Sequence, residues 1–243
     1  MVGEHMETIK LDSWKAVSNY IDKGFWQPAP TYFEHIVQRN TYYPPHAFSK
    51  GQLASKSWLL KELNTSVVDP AFEISLRNGV VGLSDPTVAI LGCWIGTMVH
   101  SLHQHFTIER IYGIDKDPES IEKSETLNRD FVQDGWKYKG VTHDVDLLDC
   151  SDMHFETGGE LINCKPDWII NTSCEHMSTL WFDSIDEDQL VIMQTNNSEE
   201  FAGHINPVDS IQDMQQMYPL KDTIYVGEMI TPAYTRFMQI GHK

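Results

Sequence analysis

From residue 86 onward, short β-rich apolar runs alternate with helical segments, and this alternation constrains the fold more than any other feature of the chain. The runs are 87–92 (TVAILG), 109–114 (ERIYGI), 138–142 (YKGVT), 167–171 (DWIIN) and 189–195 (QLVIMQT). Apolar spacing places helices between most of them, at about 96–106, 118–133, 177–184 and 207–217. Strands separated by helices form a parallel sheet covered on both faces, which is why the runs are almost continuously apolar. The pattern changes at the end. The runs 223–229 (TIYVGEM) and 234–240 (YTRFMQI) are joined by only four residues, ITPA. That link suits a hairpin and is too short for a crossover, so the last two strands pair antiparallel.

Residues 1–85 read differently. Trp14, Val17 and Ile21 lie at helical spacing, and the stretch from Phe25 to His46 is aromatic and interrupted by Pro28, Pro30, Pro44 and Pro45. Those prolines prevent one continuous helix or strand. Ser49-Lys50-Gly51-Gln52 has the form of a capping box and opens a helix carrying Leu53, Leu60 and Leu63. The expectation is two parts: 1–85, an N-terminal helical and aromatic cap, and 86–243, the α/β domain. Trp26, Tyr32, Tyr42 and Tyr43 are candidates for a lid, with Tyr43 at the substrate; packing the extension against the core is the alternative use of such rings.

Composition narrows the partners. The net charge of −17 repels phosphate backbones, and no dense Lys/Arg run offsets it, so nucleic acid is disfavoured. The four cysteines show no Cys-x-x-Cys spacing, which fits free thiols in a reducing compartment. The N-terminus lacks an apolar core of signal-peptide length, and no segment approaches a membrane span, so a soluble, cytoplasmic chain with no membrane partner is expected. The oligomeric state is not encoded in any feature of this kind. Among 11 histidines, His100, His103 and His105 cluster on one helix without Glu or Cys at ligand spacing. The pairs His143-Asp144 and Glu175-His176 could converge near one site, but no metal is expected.

The strongest local motif is Ile90-Leu91-Gly92-Cys93-Trp94-Ile95-Gly96, a strand running through a glycine turn into a helix. Glycine lets the backbone approach a ligand, and the helix start offers free N–H groups. Nineteen residues after Gly96 the next strand ends in Gly113-Ile114-Asp115, where an acid can accept from two ribose hydroxyls. Asp117-Pro118-Glu119 then caps and opens the following helix. Asp144, at the tip of the third strand, is preferred over Asp146 as the acid nearest a bound ligand, although a solvated acidic loop would read the same. Asn171 to His176 follow the fourth strand and should line the same edge, since ligands of open α/β sheets bind outside the carboxyl ends of their strands. Glu175 beside His176 could take a proton from an attacking oxygen or nitrogen, though first-turn capping also explains them. Asn196, His204 and Asn206 lie in a polar loop after the fifth strand, placed to hold substrate or simply to turn the chain.

With Gly92, Trp94 and Gly96 where the family has Gly-x-Gly-x-Gly, and Asp115 at the next strand tip, the chain resembles the class I, Rossmann-like S-adenosylmethionine-dependent methyltransferases. The resemblance covers roughly residues 86–243. It implies a mostly parallel sheet closed by an antiparallel hairpin, with S-adenosylmethionine as cofactor and a small molecule or protein side chain as acceptor. It assigns the cofactor to the turn (Gly92, Cys93, Trp94, Gly96), to Asp115 and Lys116, to Asp144 and Val145, and to Asn171. Glu175 and His176 would be catalytic, and Tyr43, Asn196 and His204 would bind substrate. Trp94 replaces the middle glycine and keeps open another use of the sulfonium (a lyase or aminocarboxypropyl transferase); a third reading is a non-catalytic binding protein on the same fold.

Overall fold

The computed structural model describes residues 6–24, 26–28, 45–67, 85–157, 159–198 and 203–243. The five expected parallel strands are β2 (Thr87–Leu91), β3 (Arg110–Asp115), β4 (Tyr138–Thr142), β7 (Trp168–Asn171) and β8 (Leu190–Asn196), and the closing hairpin is β9 (Asp222–Ile230) with β10 (Thr235–His242). With β1 (Glu7–Lys10) they form one sheet of order β1-β9-β10-β8-β7-β2-β3-β4. Only the contacts of β10 with β8 and β9 are antiparallel. The chain runs outward from β2 through β3 to β4, then returns to place β7 on the other side of β2. This reversal is the topological switch point, the position at which open α/β sheets form their ligand crevice.

The period of two along each strand divides the core. Ala89 and Leu91 face one buried cluster, with Trp181, Phe182, Met214 and Tyr218. Val88 and Ile90 face the other, with Trp58, Leu59, Val99 and Leu102. Each fully buried Leu or Ile contributes about 1.5–3 kcal/mol of transfer free energy, so both faces hold the sheet in place.

The helices are shorter than expected. α3 (Val99–His105) starts after the glycine turn, and the expected 118–133 helix divides at Asn128 into α4 (Pro118–Leu127) and α5 (Arg129–Gln133). The break has a cause: Asn128 turns its amide inward to donate to the carbonyls of Gly96 and Ser124. α6 (Leu180–Asp183) is a single turn, and α7 (Ile211–Met217) starts behind its Ser210 cap, beyond Pro207.

Three strands were not expected. β1 (Glu7–Lys10) pairs parallel with β9, while β5 (Met153–Thr157) and β6 (Glu160–Cys164) form a separate hairpin. All three are short and half polar, so their apolar signal is weak. Of residues 1–85, the described ones share the sheet and core with the rest. α1 (Trp14–Asp22) leads towards α2 (Lys50–Ser66), whose Trp58, Leu59, Leu60 and Leu63 are fully buried. Ser49 caps α2 by accepting from Gln52 N, as its sequence implies.

Candidate active site

Between β2 and α3, three alternate residues hold left-handed backbone: Gly92 (φ +60°), Trp94 (φ +50°) and Gly96 (φ +66°). A Cβ on Gly92 would sit 2.9 Å from Met177 Cε, and one on Gly96 2.8 Å from Asn128 Nδ2, so neither position accepts a side chain freely. Trp94 adopts the conformation a glycine would supply, at a cost of about 1–2 kcal/mol. Replacing the middle glycine therefore leaves the shape of the turn intact. The turn is closed by Cys93 N donating to Ile114 O (3.0 Å) and Gly96 N to Cys93 O (2.9 Å).

Asp115 locks onto this turn. Its Oδ2 accepts from Trp94 N (2.8 Å) and its Oδ1 from Asp117 N (3.0 Å). Burial pushes its carboxyl above the usual range, and those two donors oppose the rise. A carboxylate offers about four lone-pair sites, so two backbone bonds leave acceptor capacity for a ligand's hydroxyls.

A cavity of about 690 Å³ opens here, within the size range of small-molecule and cofactor sites. Its wall includes Gly92, Cys93, Trp94 and Gly96 from the turn, Asp115 and Lys116 from the tip of β3, and Asp144, Val145 and Asp146 after β4. Thr172, Ser173, Glu175 and His176 after β7, Asn196 at the end of β8, and His204 complete the strand-end side. The structure thus gathers residues from the ends of five strands. Asn171 is the exception to the sequence expectation. It is fully buried and is not among the described residues lining the cavity. Its Nδ2 lies 3.0 Å from Met177 Sδ and its Oδ1 accepts from Ser173 N, so it shapes the turn that carries Glu175. Tyr43, Tyr32 and Tyr42 lie outside the described residues. Trp26 donates from Nε1 to Thr97 O (3.1 Å) at the edge of the cavity.

Glu175 borders the cavity but is buried. Oε1 accepts from Asn196 Nδ2 and lies 3.4 Å from Arg236 Nη2, while Arg236 also donates to Thr172 O. Both ionic partners are nearly inaccessible, with side chains 3% and 2% exposed. Oε2 has no hydrogen-bond partner among the described residues. Asn196, expected at the substrate, orients this carboxylate. His176, adjacent in sequence, is exposed at the rim, with its ring 4.5 Å from that of His204. His143 Nδ1 lies 2.9 Å from Asp144 O, and His143 is not among the described residues lining the cavity.

Two cations of the site escaped the sequence analysis. Arg236 interrupts the otherwise apolar end of β10, a signal that was present in the run YTRFMQI. Lys56 on α2 is buried and lines the cavity, with Gln52 Oε1 as its hydrogen-bond partner at 3.0 Å. Burial, reinforced by the nearby Arg236 charge, lowers its ammonium to about 7. Within the helix sequence SKSWLLKEL nothing marks this lysine as buried.

By sequence, no protein-family model and no curated protein matches the chain. Solved structures do match it by shape. Magnesium protoporphyrin IX methyltransferase from Synechocystis PCC 6803, with bound SAH (S-adenosylhomocysteine), aligns with TM-score 0.51 at 14% identity, covering 88% of this chain and 95% of that one. A geranyl diphosphate methyltransferase in complex with GPP and sinefungin aligns with TM-score 0.52 at 12% identity, covering 79% and 78%. At such identities the likeness is one of fold, and the fold of this chain is that of the Rossmann-like S-adenosylmethionine-dependent methyltransferases.

Proposed function

We propose that the chain is an S-adenosylmethionine-dependent methyltransferase acting on a small molecule or a protein side chain. One observation carries this reading: Asp115, at the tip of β3, is bonded to the left-handed turn after β2 and borders the cavity at the sheet's switch point. Bound there, S-adenosylmethionine would supply a methyl group on a sulfonium, ready for transfer to a nucleophile. Asp115 would accept from the ribose hydroxyls, and Asp144 would face the adenine amino group. Gly92 and Gly96 line the cavity, and the close packing of Met177 and Asn128 against them keeps the turn free of side chains there. Glu175, clamped by Arg236 and Asn196, positions rather than shuttles protons. His176, at the rim of the cavity, is placed to face the acceptor. The acidic net charge favours acceptors other than nucleic acid. No helix among the described residues is long and apolar enough to cross a membrane.

The test is calorimetric titration with S-adenosylhomocysteine. The native protein should bind it, and Asp115→Ala should lose about 1.5–3 kcal/mol of affinity, the scale of a hydrogen bond to a charged group. Equal affinity in the two proteins would remove the ribose contact from the proposal. Products formed from S-adenosylmethionine without any acceptor would point instead to a lyase.

A further inference from the structure

The cluster of Glu175, His176 and His204 is more than a rim of polar groups. One ligand atom from each lies within 4.8 Å of the other two. The two rings are fixed through Nδ1: His176 faces Gly203 O at 3.1 Å, and His204 faces Ser198 O. A carbonyl only accepts, so in each ring Nδ1 carries the proton and Nε2 is the nitrogen with a lone pair to offer. Histidines that ligate metals are oriented in this way, by a second hydrogen bond that fixes the tautomer. Glu175 shows the same division of labour. Arg236 and Asn196 both address Oε1, while the buried Oε2 has no partner among the described residues. A buried carboxylate oxygen without a partner is costly, and a cation would satisfy it.

The backbone builds the cluster. Ile205 N and Asn206 N both donate to Glu175 O, at 2.7 and 3.1 Å, and Asn206 Nδ2 donates to Met177 O at 2.8 Å. The loop carrying His204 is therefore latched onto the turn carrying Glu175 and His176. Ligand atoms around a tetrahedral zinc ion stand about 3.4 Å apart, so the three groups close by about 1.4 Å or less on binding. An exposed His176 and a loop-borne His204 can supply that movement by small rotations of their side chains.

We propose that Glu175, His176 and His204 form a binding site for one divalent transition-metal ion of the zinc class, in the wall of the cavity. Three protein ligands leave a coordination position open, as in catalytic rather than structural zinc sites. All three residues line the cavity, so an oxygen or nitrogen of an acceptor bound there would take that position. The metal site stands on its own geometry; only this role beside the methyl rests on the methyltransferase reading.

Metal-stripped protein is titrated with Zn²⁺ by calorimetry, and separately with Co²⁺ while its visible absorption is followed. The expected result is one equivalent bound, with the absorption of a low-coordinate cobalt ion. His176→Ala and His204→Ala should each weaken binding more than tenfold, and the double variant should abolish it. Circular dichroism and S-adenosylhomocysteine titration of the same variants confirm that they remain folded. Absence of saturable binding by the native protein, or undiminished binding by either single or double variant, overturns the site. If Zn²⁺ binds as expected while S-adenosylhomocysteine does not bind the native protein, the methyltransferase reading fails and the metal site stands.

Discussion

Lys56 offers the most quantitative test of how the cavity is built. Its ammonium, ordinarily at 10.5, is lowered to about 7 by burial and by the charge of Arg236. At 1.36 kcal/mol per pH unit, that gap amounts to a penalty of about 5 kcal/mol against folding while the lysine is protonated. The sign follows from proton counts. Between pH 7 and 10.5 the unfolded chain holds a proton on this lysine that the folded chain has released, so this contribution to stability rises with pH. Below pH 7 both states are protonated and the full penalty applies. Lys56→Met removes the titration while keeping a long apolar stem. In urea unfolding, the stability advantage of Lys56→Met should be greatest at pH 6 to 7 and should shrink by about 2 kcal/mol between pH 7 and pH 9. Buried thiols and phenols, such as Cys150 and Tyr138, oppose the trend at high pH, because burial raises them. They are common to both proteins and cancel in the difference. A difference that stays constant from pH 6 to 9 would refute the buried, titrating lysine.

Other parts of the site give independent checks. Gly96→Ala should cost about 2–3 kcal/mol in urea unfolding, from left-handed strain together with displacement of the Asn128 amide. A loss below 0.5 kcal/mol would contradict the turn geometry. Glu175→Gln leaves Arg236 buried without its ion-pair partner and should destabilise by about 3–5 kcal/mol, most of it recovered in Glu175→Gln/Arg236→Met. Stability unchanged in the single variant would mean that the pair is solvated. The four cysteines are buried, and burial raises the Cys93 thiol well above its ordinary range even though it borders the cavity. Thiol labelling at pH 8 should thus await unfolding, and mass spectrometry showing rapid modification of Cys93 in the folded protein would count against that packing.

The sequence by itself determined the sheet. Continuous apolar runs at β2, β3, β7 and β8 can be satisfied only by burial on both faces, and the four-residue link 230–233 can make only a hairpin. It also determined the edge proposed for the cofactor, because the Gly92–Gly96 turn and Asp115 are local features: their positions follow from where two neighbouring strands end. β1 and the β5–β6 hairpin were not legible, since short half-polar strands are stabilised by their partners rather than by their own pattern. The other side of the cavity belongs to tertiary structure. Lys56, Glu175, Asn196, His204 and Arg236 come from a helix, a turn, two strands and a loop far apart in the chain, and no spacing rule links them. Glu175 could be recognised from sequence as a carboxylate near the site. That Arg236 and Asn196 occupy one of its oxygens and leave the other open is a matter of which side chains the folded backbone brings within hydrogen-bonding distance.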